Sequence, residues 1–374
     1  MNLTNLPEVS FCETDAAKVR DAILLTHQGL TGRSLAPGAP ERLFLEALAA
    51  IISQQRVIID DTGRQGLLAY ARGAALDHKG APFVARLPAS RAVVRLQFSM
   101  PTSQSFAVRI PKGTRATPDG LLMFATREAK DIPIGQKAVE VDAECLEAGS
   151  KGNGYVAGQI ARLVDPLTWV TAVTNTTESS DGCDEEDDER LRERIALAPE
   201  SFSVAGPEGA YVFWAKSASA LIADVAVLSP SDGRVEVYPL LSGGQVPSPS
   251  FCADVAKVLT NKQVRPLTDH VSVLPPSQVQ YAIELTYWLR KEDALAEEAI
   301  HAAVAKAVDD YILWQRGRLG RDIDPSELVY RVKAAGAKRC QVTSPAYTSL
   351  APSELAVVPG ADHVHVAWGD PEDE

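Results

Sequence analysis

The residues best suited to chemistry lie in one run. From Asp181 to Glu189 the sequence reads DGCDEEDDE, so every residue except Gly182 and Cys183 carries a carboxylate. Arg190, Arg192 and Arg194 follow at alternate positions. Clustered carboxylates can chelate a hard cation such as calcium. The calcium-loop pattern D-x-[DN]-x-[DN]-G-x5-E fails here, because its third position counted from Asp181 is Cys183 and no other start restores it. A helix start explains the charge order better, since acids favour the positive end of a helix dipole and cations suit the turns beyond it. The run therefore predicts a helix over residues 184–198. Glu186–Arg190 and Asp188–Arg192 become i,i+4 pairs worth about 0.3–0.5 kcal/mol each, and Leu191 with Ile195 forms the buried stripe. Asp184, Glu185 and Asp187 stay unpaired in that scheme and face either solvent or a basic patch on a partner.

Other motifs invite chemistry and fall short of it. His363 and His365 sit two apart on a predicted strand, which turns both to one side and could begin a zinc site, but no third ligand is nominated by spacing. Leu241–Gln245 spells LSGGQ, the signature of transporter ATPases, yet that motif needs a phosphate loop ending in Gly-Lys-Ser/Thr and no Gly in this chain precedes a Lys. Residues 149–158, GSKGNGYVAG, lack the spacing of a phosphate cradle and read as tight turns at a domain corner. Neither G-x-S-x-G nor H-E-x-x-H occurs, and no Cys/His pairing suggests a nucleophile. The sequence nominates no catalytic, cofactor-binding or metal-binding residue, and so points away from an enzyme.

Composition narrows the classes. The 374 residues are 45% hydrophobic and 23% charged, values of a globular protein with real cores. The net charge of −12 argues against nucleic acid or an anionic membrane as a general partner. Five scattered cysteines without a CxxC point to reduced thiols rather than a disulfide framework. The N-terminal stretch lacks the basic and apolar regions of a signal peptide, and no apolar run approaches a membrane span of about 20 residues. The sequons at Asn2 and Asn175 are then expected to go unused.

The elements that would position these residues form an α+β, multi-domain chain. N-terminal helices occupy 1–88, an antiparallel β domain ending in the acidic-run helix covers 89–200, and two small α/β modules in series follow at 201–276 and 277–374. Residues 14–30 predict an amphipathic helix carrying Val19, Ile23, Leu24 and Leu30. Residues 41–77 continue a helical pattern through Phe44, Leu48, Ile51, Ile52, Ile58 and Ile59, weakened by Gly63, Gly66 and Gly73. Little local sequence covers that apolar face. It calls either for helices of another chain or for an intrachain hairpin with 14–30. Phe44, Leu48, Ile51 and Ile52 thus join Asp184, Glu185 and Asp187 as interface candidates. Beyond the β domain, Pro207 is expected at the first position of a helix, a hairpin turns at Ser231-Asp232-Gly233, and Asp324 caps a helix that opens with Pro325. Residues 279–289 read as one strand and 291–317 as a long helix. The acidic segment 369–374 is expected to be disordered.

Taken in order, these pieces resemble the baseplate J-like family of contractile phage tails and related injection machines. ARGAALDHKGAPFVARLPASRAVVRLQF (71–98) resembles its small-Gly-x-x-Leu-Asp segment and the entry to its first β-strand. IPKGTRATPDGLLMFAT (110–126) is similar to its Pro-x-Gly-Thr turn and hairpin. AGSKGNGYVAGQIARLVDPLTWVTAVTN (148–175) resembles its Gly-Asn…Gly-x-Ile segment closing on Val-x-Asn. The acidic run and Arg-x-Arg-Ile follow at the family's place, and residues 206–240 resemble its Ala-Tyr helix and Asp-Val hairpin. Each motif is weak alone; their joint order, over about residues 40–290, is specific. Where the family has a second Gly this chain has Cys183, which should stiffen the turn.

The resemblance implies a structural baseplate wedge subunit without catalytic residues. It implies association with a second copy, with other wedge subunits, and with hub and spike proteins by proximity, in a particle assembled in the bacterial host cytoplasm and located in the virion tail. It further implies that the N-terminal helices join an inter-chain bundle, and that conformation changes on contraction. The rival reading is a cation- or glycan-binding module using the acidic run and the β domain.

Overall fold

The computed structural model describes residues 6–373 apart from 203–206, 262–263, 265 and 267. The chain divides into two compact units, Met1–Arg86 with Asp187–Ala198, and Leu87–Glu186 with Pro199–Glu374. Both are of mixed or helical content, and the whole is α+β with several cores.

The first unit opens with α1 (Ala16–Thr31), whose N-cap Asp15 accepts from the N–H groups of Ala17 and Lys18 and whose end is closed by Gly32 at φ 69°. α2 (Pro40–Gln65) starts with Pro at its first position. The pattern expected to run to residue 77 is interrupted. α2 stops at Gln65, and α3 (Gly73–Gly80) begins after a turn. The turn holds itself: Gly66 donates to the Gly63 carbonyl at 3.0 Å, and the Gln65 amide oxygen accepts from Arg72 N–H at 3.0 Å. α1 packs on α2, the intrachain hairpin of the two alternatives. Gly63, which looked like a weak point in a helix, makes room for a ring: a Cβ there would lie 2.6 Å from Phe11. Beside it Asp60 accepts from Phe11 N–H at 2.6 Å and from the Ser10 hydroxyl at 3.2 Å. The Phe11 bond is the main reason its carboxyl sits below the ordinary aspartate value.

α4 (Asp188–Leu197) completes this unit. It begins four residues later than the run of acids suggested. Leu191 and Ile195 are buried as the spacing required, and Ile195 lies against Gly80, where a Cβ would come within 3.1 Å of it.

In the second unit, β1 (Arg91–Ser99), β2 (Val108–Ile110), β3 (Arg115–Thr117), β4 (Phe124–Thr126), β5 (Lys130–Ile132), β6 (Ala138–Ala148), β7 (Arg162–Leu163) and β8 (Ala172–Asn175) build the antiparallel β domain. Six of them form one sheet in the order β7-β3-β4-β6-β1-β8, with β2 and β5 paired apart. The sheet curls until its edges, β7 and β8, approach each other, a near-barrel. Alternation along β1 sends Ala92, Val94, Leu96 and Phe98 inward, where they meet Phe124, Ile110, Ile132 and Ile160. Each fully buried large side chain contributes about 1.5–3 kcal/mol.

The first α/β module has the expected order of helix, two strands, helix, strand. It comprises α5 (Glu208–Ala218), β9 (Ile222–Ser231), β10 (Arg234–Leu241), α6 (Pro249–Leu259) and β11 (His270–Val273). Pro207 is the N-cap residue of α5, one place before its expected position. β10 pairs antiparallel with β9 across the Asp232-Gly233 turn and parallel with β11. The second module comprises β12 (Ser277–Gln280), β13 (Ile283–Trp288), α7 (Glu297–Arg316), α8 (Pro325–Ala334), β14 (Arg339–Ser344), β15 (Glu354–Val357) and β16 (Val364–Trp368). The single strand expected over 279–289 is two strands in two sheets. β12 pairs with β15, and β13 sits between β14 and β16. α7 starts at Glu297 because residues Lys291–Ala296 wind as a tighter 3-10 turn. Asp324 caps α8, accepting from Ser326 N–H.

One expectation about order is overturned. The acidic segment 369–373 is seated against β13: Gly369 N–H donates to Tyr287 O at 2.9 Å and Glu372 N–H to Leu289 O at 2.9 Å. Net like charge would have kept it in solvent, but three basic side chains nearby hold its carboxylates.

Asn175 explains why its sequon is closed to a glycan. Its side chain is buried, its carbonyl accepts from Ile160 N–H at 2.8 Å, and its amide donates to the carbonyls of Tyr155, Val156 and Thr177. Asn2 lies outside the described residues. Asn175→Ala strands these groups, at about 1–3 kcal/mol for a buried unsatisfied partner. A loss of at least about 3 kcal/mol in urea unfolding is expected, with Asn175→Asp also destabilised because it cannot donate to three carbonyls.

Candidate functional site

The acidic run is divided between tasks. Residues 181–186 belong to the β domain's unit, and 187–189 to the helical unit. In the first part, Gly182 backbone is held by both ends of one carboxamide. Its N–H donates to Asn153 Oδ1 at 2.9 Å, and its carbonyl accepts from Asn153 Nδ2 at 2.7 Å. A Cβ on Gly182 would lie 2.5 Å from Gly149 O and 2.8 Å from Asn153 Oδ1. Two residues on, Asp184 accepts from Ser150 N–H at 3.0 Å and from its hydroxyl at 2.8 Å, and these bonds hold its carboxyl below the ordinary aspartate value. Glu186 is buried and takes Leu87 N–H at 3.0 Å, while its own N–H donates to Leu87 O. Asp181 is in the left-handed region at φ 69° and is partly buried. Burial pushes its carboxyl up, and the negative charge of Asp254 adds to this. Cys183 pairs in extended backbone with Ser90. The left-handed residue is Asp181 and the close approach is at Gly182, so the cysteine at the family's second glycine meets no such demand.

In the second part, Asp187 is the N-cap of α4 and accepts from Arg190 N–H at 2.9 Å. Asp188 accepts from Gly73 N–H at 2.9 Å and from Arg86 at 2.7 Å, and in that order these lower its carboxyl below the ordinary value. Arg192 donates to the carbonyls of Leu68 and Ala71 and pairs with Glu189 at 2.6 Å. The expected Asp188–Arg192 pair gives way to this arrangement, in which Asp188 is taken by Arg86. Of the three acids expected to be unpaired, Asp184 and Asp187 have local hydrogen bonds, and Glu185 is exposed. The cation reading gains nothing from this geometry. Among the described residues no group of three or more His, Cys, Asp or Glu is placed to hold a metal ion.

The tempting motifs resolve into structure. The loop 149–154 that supplies Ser150 and Asn153 carries Gly149 at φ 119° and Gly154 at φ 82°, the tight corner the sequence indicated. In LSGGQ, Ser242 donates from backbone and hydroxyl to Leu221 O, and Gly244 lies so close to Arg316 that a Cβ would collide with it. His363 closes a 3-10 turn before β16, so it does not share a strand face with His365.

The apolar interface candidates lie on α2, where burial is inverted. The helix buries Ala49 (2% exposed), Ser53 (7%) and Asp60 (7%). It exposes Phe44 (64%), Leu48 (37%), Ile51 (57%) and Ile52 (39%), together with Leu43, Val57, Ile58 and Ile59. Phe44, Leu48, Ile51 and Ile58 follow i, i+4, i+7 and i+14 along one stripe. A helix of an isolated globular protein turns such a stripe inward. Large contiguous exposed apolar patches mark interaction surfaces. Sequence reasoning found this stripe. It missed the roles of Asn153, Ser90, Arg86 and Gly73, because each acts on a partner about 30 to 115 residues away. Among the described residues no helix is long and apolar enough to cross a membrane.

Three family models match the chain. The baseplate J-like protein barrel domain matches residues 95–182, the baseplate J-like central domain 203–275, and the baseplate J-like protein C-terminal domain 281–361. Baseplate protein J of Escherichia phage P2 is 36% identical over 161 residues, which are 43% of this chain and 52% of that protein, so the match spans about half of that relative's length. A chain of the anti-feeding prophage baseplate, solved by cryo-EM with six-fold symmetrisation, superimposes with a TM-score of 0.44 at 13% identity, over 92% of this chain and 90% of its own.

Gly182→Ala should lower stability by about 1–3 kcal/mol, the range of an overpacked site, whereas Cys183→Gly should cost no more than about 1 kcal/mol; urea midpoints of the two variants check both. The Asp188 carboxyl is depressed in the folded state, so its stabilisation is complete above the unfolded aspartate value of about 3.9 and is lost as pH falls through the lower folded value. Asp188→Asn should therefore be less stable than the wild-type chain at neutral pH, with the gap closing as pH drops below about 3.9. Paired thermal melts across pH 3–7 would show it, and a pH-independent gap would count against the Arg86 and Gly73 assignment.

Proposed function

The chain belongs to the baseplate J-like family, and from that premise we propose that it is a structural subunit of the baseplate wedge of a contractile tail or related injection particle. The observation that carries this reading is the inverted burial of α2. Small and polar residues face the chain's own helices and large apolar ones face outward, as expected of a helix completed by helices of other subunits. Phe44, Leu48, Ile51 and Ile52 are its central contacts. The partners are a second copy of the chain and other wedge subunits, with hub and spike proteins nearby, and the chain has no nucleic-acid or membrane partner and no catalysis. The location is the tail baseplate, after assembly in the host cytoplasm.

The β domain and each α/β module have a main core of their own, and a smaller buried cluster of Leu240, Leu319 and Leu355 joins the two modules; it is the modules' own cores that support a conformational role. Interfaces between modules would hold one arrangement before host contact and release another during sheath contraction. Gly- and Pro-containing connectors at 199–207 and 242–249 join the modules; the first includes residues outside those described, and the second is tied by Ser242 to Leu221. Glu185, exposed beside the acids already engaged, is the run's remaining candidate for a basic partner surface.

Replacing Phe44, Ile51 and Ile58 together by Glu tests the reading. All three are more than half exposed, so folding should change by only about 0.5 kcal/mol per site. Co-expressed with the neighbouring tail proteins, the wild-type chain should copurify as a defined hetero-oligomer and the triple variant should not. A wild-type chain that stays monomeric beside those proteins, or a variant that assembles normally, would sink the proposal.

A further inference from the structure

The closing loops of the β domain bring two reactive dipeptides together. Asn153 is the one asparagine of the chain followed by glycine, and Asp181 is followed by Gly182. Such a step can close on itself. The glycine nitrogen, with no side chain beside it, attacks the side-chain carbonyl carbon of the residue before it. A five-membered succinimide forms, and water then opens it. Here each attacking nitrogen is engaged by the opposite loop. Gly154 N–H donates to Ser179 O at 2.9 Å, and Gly182 N–H donates to Asn153 Oδ1 at 2.9 Å. The Asn153 carboxamide is pinned at its other end by Gly182 O at 2.7 Å. Buried Ser179 fixes the next peptide as well: its N–H donates to Tyr155 O at 3.1 Å, and its hydroxyl accepts from Tyr155 N–H at 3.0 Å. Ring closure needs the Asn153–Gly154 peptide to turn until its nitrogen eclipses the side chain. Asn153 is instead extended, at φ −82° and ψ 162°. Asn153, Gly154, Ser179 and Asp181 line one cleft, so water reaches them when the loops part.

We propose that Asn153 is a modification site, converted to aspartate and isoaspartate by attack of the Gly154 nitrogen when the two loops part, and guarded while they stay clamped. The bond from Gly154 N to Asn153 Cγ forms as the bond from Cγ to Nδ2 breaks. The Gly154 amide proton goes to solvent base, and Nδ2 leaves as ammonia with a proton from water. Water then adds to either ring carbonyl. Opening at Cγ restores the main chain and leaves aspartate. Opening at the main-chain carbonyl leaves the chain running through Cγ, which is isoaspartate. No oxidant or further reactant is needed. The change runs one way. Aspartate at 153 cannot donate to Gly182 O, and it sets a carboxylate oxygen against that carbonyl. Isoaspartate inserts a methylene into the backbone between the clamped positions. Either product recloses less tightly, and the guard on Asp181-Gly182 weakens with it. The site thus records each opening of this end of the β domain, and it does not depend on the baseplate assignment.

Peptide mapping by mass spectrometry tests it on the full chain at mildly alkaline pH, with aspartate and isoaspartate separated by chromatography. In unfolding urea Asn153 should convert, while Asn175, which Thr176 follows, serves as the slow internal reference. In the folded chain reaction runs only through the open fraction. Asn153 should then convert at least about tenfold more slowly than in urea, the factor of an opening that costs about 1.4 kcal/mol. Gly182→Ala pries the clamp apart, because its Cβ would lie 2.5 Å from Gly149 O. In the folded state that variant should convert Asn153 at least about threefold faster than the wild-type chain. If it fails to fold, Ser179→Ala, which removes the acceptor of Tyr155 N–H, takes its place. Equal rates in folded and unfolded chains overturn the guard, and no conversion in either overturns the site. A folded clamp variant that converts no faster than the wild-type chain overturns the assignment of the guard to these loops.

Discussion

Asn153 and Gly182 exchange two hydrogen bonds between one carboxamide and the N–H and C=O of a single residue, and the close of the β domain depends on that pair. The approach is so close that a methyl group has no space, so residue 182 is fixed as glycine by packing rather than by a left-handed backbone. With Gly182 held, Asp184 meets Ser150 and Cys183 lies along Ser90, closing the end of the β domain. The residues that follow are then free to begin a helix only from Asp187 onward. Three acids that look equivalent in a list of charges become a loop clamp, an exposed residue and a helix cap in turn.

The helical hairpin obeys the opposite logic. α2 packs inward through residues that contribute little apolar area, and Asp60 is tolerated there because Phe11 N–H and the Ser10 hydroxyl satisfy it. The large side chains that would normally drive the burial of a helix remain outside. Such a surface is unfavourable in an isolated chain and favourable once other helices cover it. Polar bonds set the hairpin, and the large apolar side chains of α2 stay outside it.

Much of the fold was legible in the sequence. The α+β class, the change from a period of 3.6 to one of 2 near residue 90, the Asp232-Gly233 hairpin, the Asp324 cap with Pro325, and the Leu191/Ile195 stripe all follow from local chemistry, and the structure has each of them. The errors are equally physical. The pattern over 41–77 was interrupted by a turn that Gln65 and Arg72 hold together, the strand over 279–289 split because its halves found partners in different sheets, and the segment after 368 was fastened by Lys291 and by the adjacent Lys338 and Arg339, from two distant places. Of the candidate site, the apolar stripe of α2 was read from spacing alone, but the pairings of Asp184 and Asp188 were not.

The sequence by itself determined which residues are apolar, acidic or conformationally free, and therefore the type of most elements and the order of motifs by which the family is known. That much is local, because helix and strand periods and turn chemistry act over a few neighbouring residues. The tertiary structure decided what each charge and glycine is for. Gly182 answers to Asn153, Asp188 to Gly73 and Arg86, and Glu372 to Arg339, across separations of 29 to 115 residues. A carboxylate accepts from whichever donor the fold brings within about 3 Å. No pattern of spacing along the chain records that choice.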